Sequence, residues 1–454
     1  MTLLTVRTAL IGAALLLTVV HRASAQQNSQ TLLEGAARQI QLGNYQSAVD
    51  LIEPALKKQP NNPELWNLLG IAKTELRQSV AARSAFERGL RLAPNSVSLH
   101  ENLGLLFYRE GDYPKAKKFL SDSVALGSDK PGVLFSLAAA RLRTGETQRA
   151  LADLRSLETP LANVSAYWDE RGRAESLENS VAAEKSFARA LELQPDDVTA
   201  LNGAASAAER QNLDEKALSY LIKARQVHPD DVLTLAHFGS VCIHRDLGLD
   251  AVDALTRAHR LAPSNNSVLF LLARANVSLS NWQAAHDLFS EFSKRVPAYA
   301  PAYYARGWVD VKLDRTADAR LQFQHCLQLD SRFTDARFEL AQLELNDGNL
   351  EIAHRLLVTV LQEKPHHAEA TLAMGDLLMR QGDLRGAETY LQTAVRQAPK
   401  LAAAHYKLSM LYFRTHRAKE AESEKTIAAQ LNTEASRASK TQLKLILPQS
   451  DLAQ

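Results

Sequence analysis

The 454-residue sequence is poor in the residues that break helices: 19 glycines and 15 prolines make up about 7% of it, against roughly 12% in average usage. That scarcity excludes collagen-like and low-complexity chains, argues against a turn-dense all-β fold, and leaves helix as the expectation. Aromatics are also few, at 6%, so the apolar 46% of the chain rests mostly on small aliphatic side chains. Two cysteines, Cys242 and Cys326, are too few for a disulfide framework and read as small buried hydrophobes. Charge of one sign is missing as well: 53 basic residues face 51 acidic ones. With Arg7 and Arg22 set aside as part of a removable leader, the balance is even. Nothing then drives binding to a phosphate backbone, and no nucleic-acid partner is expected. The length exceeds the ~250–300 residues at which one core stops growing, so several domains or a repetitive architecture must follow.

The apolar run Ala9–Val20 is short, at 1.5 Å rise reaching roughly 18 Å against a ~30 Å hydrocarbon core. Arg7 stands before it and Ala23-Ser24-Ala25 after it, the layout of a secretory signal peptide cleaved after Ala25. Residues 1–25 are therefore expected to be removed, leaving an exported protein, periplasmic or secreted, without a stable membrane anchor.

Alanine recurs every 34 residues at 48, 82, 116 and 150, and again from 183 through 217, 251, 285, 319, 353, 387 and 421, with one residue missing between the two runs. A glycine/alanine column (Gly70, Gly104, Ala138, Gly172, Ala205, Gly239, Ala273, Gly307, Ala341, Gly375) keeps the same spacing and places the deletion between Gly172 and Ala183. A proline column runs Pro60, Pro94, Pro195, Pro229, Pro263, Pro297, Pro365 and Pro399. After the alanine, apolar residues fall at i+4, i+7 and i+8 in units such as Ala183, Phe187, Ala190, Leu191 and Ala387, Leu391, Ala394, Val395, which marks a second amphipathic helix per unit. The first helix carries its own stripe, for example Leu99, Leu103, Leu106 and Phe107. Gly43, Gly111, Gly145, Gly348 and Gly382 sit where the turn between the two helices needs a left-handed residue, followed by Asp or Asn at several of them to cap helix two. Small residues let the two backbones approach, and proline ends each unit.

Residues Trp66, Leu69, Gly70, Ala82, Phe86 and Pro94, with Gly239, Ala251, Pro263 and Gly375, Gly382, Ala387, Pro399, resemble the tetratricopeptide repeat pattern. The resemblance covers about twelve units over 29–432. It implies an all-α solenoid of helix-turn-helix repeats wound into a right-handed superhelix, first helices lining a concave groove. The domain reading is repeats one to four over 26–163, repeats five to twelve over 164–432, and a C-terminal capping segment and tail over 433–454. Pro160 comes early in repeat four, and repeat five lacks a residue, so the stacking is expected to be irregular there.

Carried onto the groove positions of the family, the last five repeats present Phe270, Arg274, Tyr304, Trp308, Lys312, Phe338, Met379, Arg380, Tyr406, Met410, Phe413 and Arg414, an aromatic and sulfur-bearing row edged by cations. The lysine and asparagine set with which some relatives grip carboxy-terminal tails is absent. No Gly-x-Ser-x-Gly, phosphate-cradling glycine loop or His-Glu-x-x-His occurs, and His237, His244 and Cys242 do not complete a metal set. No cofactor and no catalysis are expected. The sequence reading is an exported scaffold binding a peptide or protein in the groove, with a structural subunit of an envelope secretion or polysaccharide-export assembly as the alternative; oligomeric state is left open.

Overall fold

The computed structural model describes the backbone of residues 25–438 and the side chains of 31–433. The expected signal segment therefore lies outside the described residues, apart from Ala25, and so does the expected capping segment beyond Ala438. The described residues form 25 helices and no strand. Twenty-four pair into twelve antiparallel hairpins, from Ala25–Gln41 with Tyr45–Lys58 to Ala402–Arg414 with Ala418–Ala438, and the remaining one is the single turn Glu158–Leu161. They group into two compact units that divide between Ala217 and Leu218, inside the second helix of repeat six, Asp214–Val227.

The turn inside eleven of the twelve hairpins is built one way. The residue after the turn donates its amide to the carbonyl five positions back, as Asp112 does to Phe107 (3.0 Å), Leu247 to Cys242 (2.9 Å), Asp383 to Leu378 (3.0 Å) and Arg417 to Tyr412 (2.8 Å). That bond requires a left-handed residue just before it. Glycine supplies it at Gly111 (φ 79°) and Gly382 (φ 88°). In six other repeats the same place is held by Arg77, Asn212, Asp246, Ser280, Asp314 and His416, all with φ between 57° and 59°. Asp112 and Asp383 cap the second helix, accepting from the amides of Lys115 and Gly386. Asn44 and Asn349 do not cap; their amides donate to Gln39 and Glu344 across the turn instead.

Repeat five departs from this rule because the residue its sequence lacks is the left-handed one. The turn after Ser165–Glu175 closes instead with the amide of Asn179 on the carbonyl of Glu175 (2.7 Å), and Asn179 caps Ser180–Leu193. Just before it, the second helix of repeat four stops at Ser156 after ten residues, and the Pro160 stretch makes the separate turn Glu158–Leu161. The irregularity expected from Pro160 and from the shortened repeat is thus present in the helices themselves.

Packing explains both small-residue columns. Every alanine of the 34-residue series, Ala48 through Ala421, has no exposed surface. A Cβ added at Gly70 would lie 2.3 Å from the Phe86 ring, and one at Gly239 would lie 2.4 Å from Leu255. The large residue one turn after the alanine therefore sits in the space the glycine leaves. Several hairpins are also tied to their entry loop by the fourth residue of the first helix. Trp66 Nε1 donates to the Pro60 carbonyl (2.8 Å), Trp168 Nε1 to Ala162 (2.8 Å), and Tyr303 Oη to Pro297 (3.2 Å). Cys242 and Cys326 are free and fully buried, and burial pushes both thiols up to about 12.

Candidate functional site

Within each unit the first helices of successive repeats touch: one with two, two with three, three with four, four with five and five with six in the first unit; seven with eight, ten with eleven and eleven with twelve in the second. Second helices of successive repeats make no comparable contact. In a curved stack the closer neighbours lie on the inner side, so the first helices line the concave face of each unit. Contact is weaker between the first helices of repeats eight, nine and ten.

The residues expected in the groove divide into three groups. Phe270 is 1% exposed and packs on Phe289, Phe292 and Tyr299, so it fills the hairpin core. Met379 is likewise buried, packed with Leu391 and Leu408. Arg274 is buried too; its Nε has no hydrogen-bond partner among the described residues, and burial lowers its pKa.

The second group lies on repeats nine and ten and is half open. Trp308 is half-buried, its ring edge-on to Trp282 at 5.7 Å, with the Lys312 ammonium 4.7 Å from its centroid. Tyr304 packs against Phe323 and Phe333, and burial raises its hydroxyl pKa. Phe338 lies on the His367 ring at 4.7 Å. Glu339, in the same first helix as Phe338, has its carboxyl pushed up by burial and pulled down in part by Lys312. These side chains form an aromatic surface with one cation and one carboxylate at hand, the composition that binding hot spots favour.

The third group is on the last two first helices. Tyr406, Met410 and Phe413 are exposed at 52%, 38% and 50%, at spacings that put them on one stripe. Tyr406 and Phe413 are the exposed aromatic side chains among the described residues. Arg380 and Arg414 are braces: each donates to a carbonyl at the end of the preceding first helix, Leu345 (2.7 Å) and Met379 (3.0 Å), favourable positions for a cation. Asp376, buried, pairs with Arg380 and with Lys407, the latter at 2.6 Å.

Trp282 and Glu339 belong to this surface and were not reachable by register. Trp282 opens a second helix, Trp282–Arg295, which groove positions never include. Among the described residues, no group of three or more His, Cys, Asp or Glu could hold a metal, and no helix is long and apolar enough to cross a membrane.

Helical hairpins stacked in register define a helical repeat protein. Models of the tetratricopeptide repeat match residues 345–411 in one case and 34–97, 75–131 and 174–231 in another, so the chain carries tetratricopeptide repeats over those stretches. A peroxisomal targeting signal receptor of Candida glabrata is 29% identical over 82 residues, 18% of this chain and 14% of the receptor. The matched stretch thus spans a small part of that relative's length. Among solved structures, YrrB, a TPR protein with an unusual peptide-binding site, is 18% identical with TM-score 0.37, covering 40% of this chain and 95% of its own. Cut9–Hcn1, the APC/C hetero-tetramer, is 12% identical with TM-score 0.42, covering 96% and 91%.

Proposed function

We propose that this protein is an exported, non-enzymatic scaffold that holds a peptide or protein segment against the first helices of repeats nine and ten. Tetratricopeptide repeats are in general protein- and peptide-binding modules without catalysis. The observation that carries the reading here is Trp308: a large ring on the inner side of its unit, half open, fixed edge-on by Trp282 and edged by Lys312. Such a ring offers apolar area at little ordering cost, because its neighbours already hold it. A photo-reactive residue placed at Trp308 should cross-link one partner in the native host, and the same residue at Leu249, an exposed position on the second helix Gly248–Leu261, should not. Equal capture at both positions would remove the reading.

Export rests on Arg7, the Ala9–Val20 run and Ala23-Ser24-Ala25. The intact mass of the protein recovered from its host should begin at Gln26. A mass that includes Met1 or the apolar run contradicts export by this route.

A further inference from the structure

The residue just after the glycine/alanine column of the first helix is charged in three repeats: Arg173 in repeat five, Arg274 in repeat eight and Asp376 in repeat eleven. Two of the three are paired. Arg173 Nε stands 3.0 Å from the carboxylate of Asp169, one turn earlier on its own helix, and Asp376 pairs with Arg380 and Lys407. In repeat eight the place of Asp169 is held by Phe270, which has no carboxylate to give. Arg274 is nevertheless only 7% exposed, and its Nε has no hydrogen-bond partner among the described residues. What opposes the effect of burial on it is the Tyr299 hydroxyl and not an acid. A guanidinium stays charged in a protein, and a buried charge without a counter-charge works against the fold until one arrives. The residue in the same register one repeat later is Trp308. The two lie on adjacent first helices of one unit, Asn266–Ser278 and Ala300–Lys312.

We infer that Arg274 is the binding site for one carboxylate of an acidic partner segment, an Asp or Glu side chain seated on the guanidinium while a large apolar residue of the same segment lies on Trp308. This rests on the scaffold reading and adds the partner's chemistry to it. The carboxylate that repeat five supplies from its own helix is supplied in repeat eight by the ligand. One guanidinium balances one negative charge; a phosphoryl group, at about −1.5 to −2 near pH 7, would leave the excess buried. The lysine and asparagine set that grips a chain terminus is absent from this sequence, so the carboxylate belongs to a side chain. Lys312, 4.7 Å from the Trp308 centroid, adds a second positive charge on the approach.

The test selects random peptides on the full chain, displayed through their carboxy ends so that no terminal carboxylate is free. Peptides whose binding depends on Trp308 should carry an Asp or Glu. Changing that acid to its amide should weaken binding at least about tenfold on the wild type and at most about twofold on Arg274→Met. Peptides that need Trp308 but carry no acid overturn the site, and so does an acid whose loss costs the same on both proteins. A free-chain measurement needs no ligand: Arg274→Met removes an unpaired buried charge and should raise the denaturant midpoint. A lowered midpoint overturns the site and leaves the Trp308 reading standing. Failure of that reading shows separately, as a selection with no peptide dependent on Trp308, and the site falls with it.

Discussion

Residues that stand in a left-handed turn without being glycine are the clearest local cost in this chain. Ser280 (φ 59°) is one of six, and a left-handed L-residue is unfavourable by roughly 1–2 kcal/mol. Ser280→Gly should therefore stabilise the protein by about 1 kcal/mol, read as a higher denaturant midpoint; a lower midpoint would mean that the serine side chain supports the turn. Asp169 is a second case. Burial raises its carboxyl to about 6, against the partial opposition of Arg173. A raised carboxyl favours folding only while protonated. That contribution is complete below pH about 3.8 and is lost as pH rises through about 6. Asp169→Asn should then gain on the wild type by about 1 kcal/mol more at pH 8 than at pH 5; a pH-independent difference would contradict the assignment. Glycine turns were legible in the sequence because glycine signals a positive φ. The six occupied by other residues were not, since nothing in Arg77 or His416 marks that conformation.

At the scale of the helix, the hairpin is fixed by a small residue on one helix and a large one on the other. Gly70→Ala places a methyl 2.3 Å from the Phe86 ring and should cost about 1–3 kcal/mol. Loss of less than about 0.5 kcal/mol in thermal unfolding would show that Phe86 can shift. The helices and their order were readable from spacing alone, because a 34-residue period in alanine constrains which faces meet. The accessibility of the first-helix residues was not. Phe270 and Trp308 both lie on first helices of neighbouring repeats, yet one is closed over by Phe292 and Tyr299 and the other stays half open. That difference is set by residues of the neighbouring helices and loops. The Arg380 and Arg414 side chains illustrate the same point: as free groove cations they would be ligands, but the preceding helix ends engage them.

For the molecule as a whole, the central claim is that recognition resides in the aromatic surface of repeats nine and ten. The measurement that bears on it most directly is the affinity of the cross-linked partner for Trp308→Ala compared with Leu249→Ala. The account predicts a loss of about 2 kcal/mol or more, roughly thirtyfold in Kd, for Trp308→Ala and none for Leu249→Ala. A Trp308→Ala protein that folds normally and binds within about 0.5 kcal/mol of wild type would contradict it.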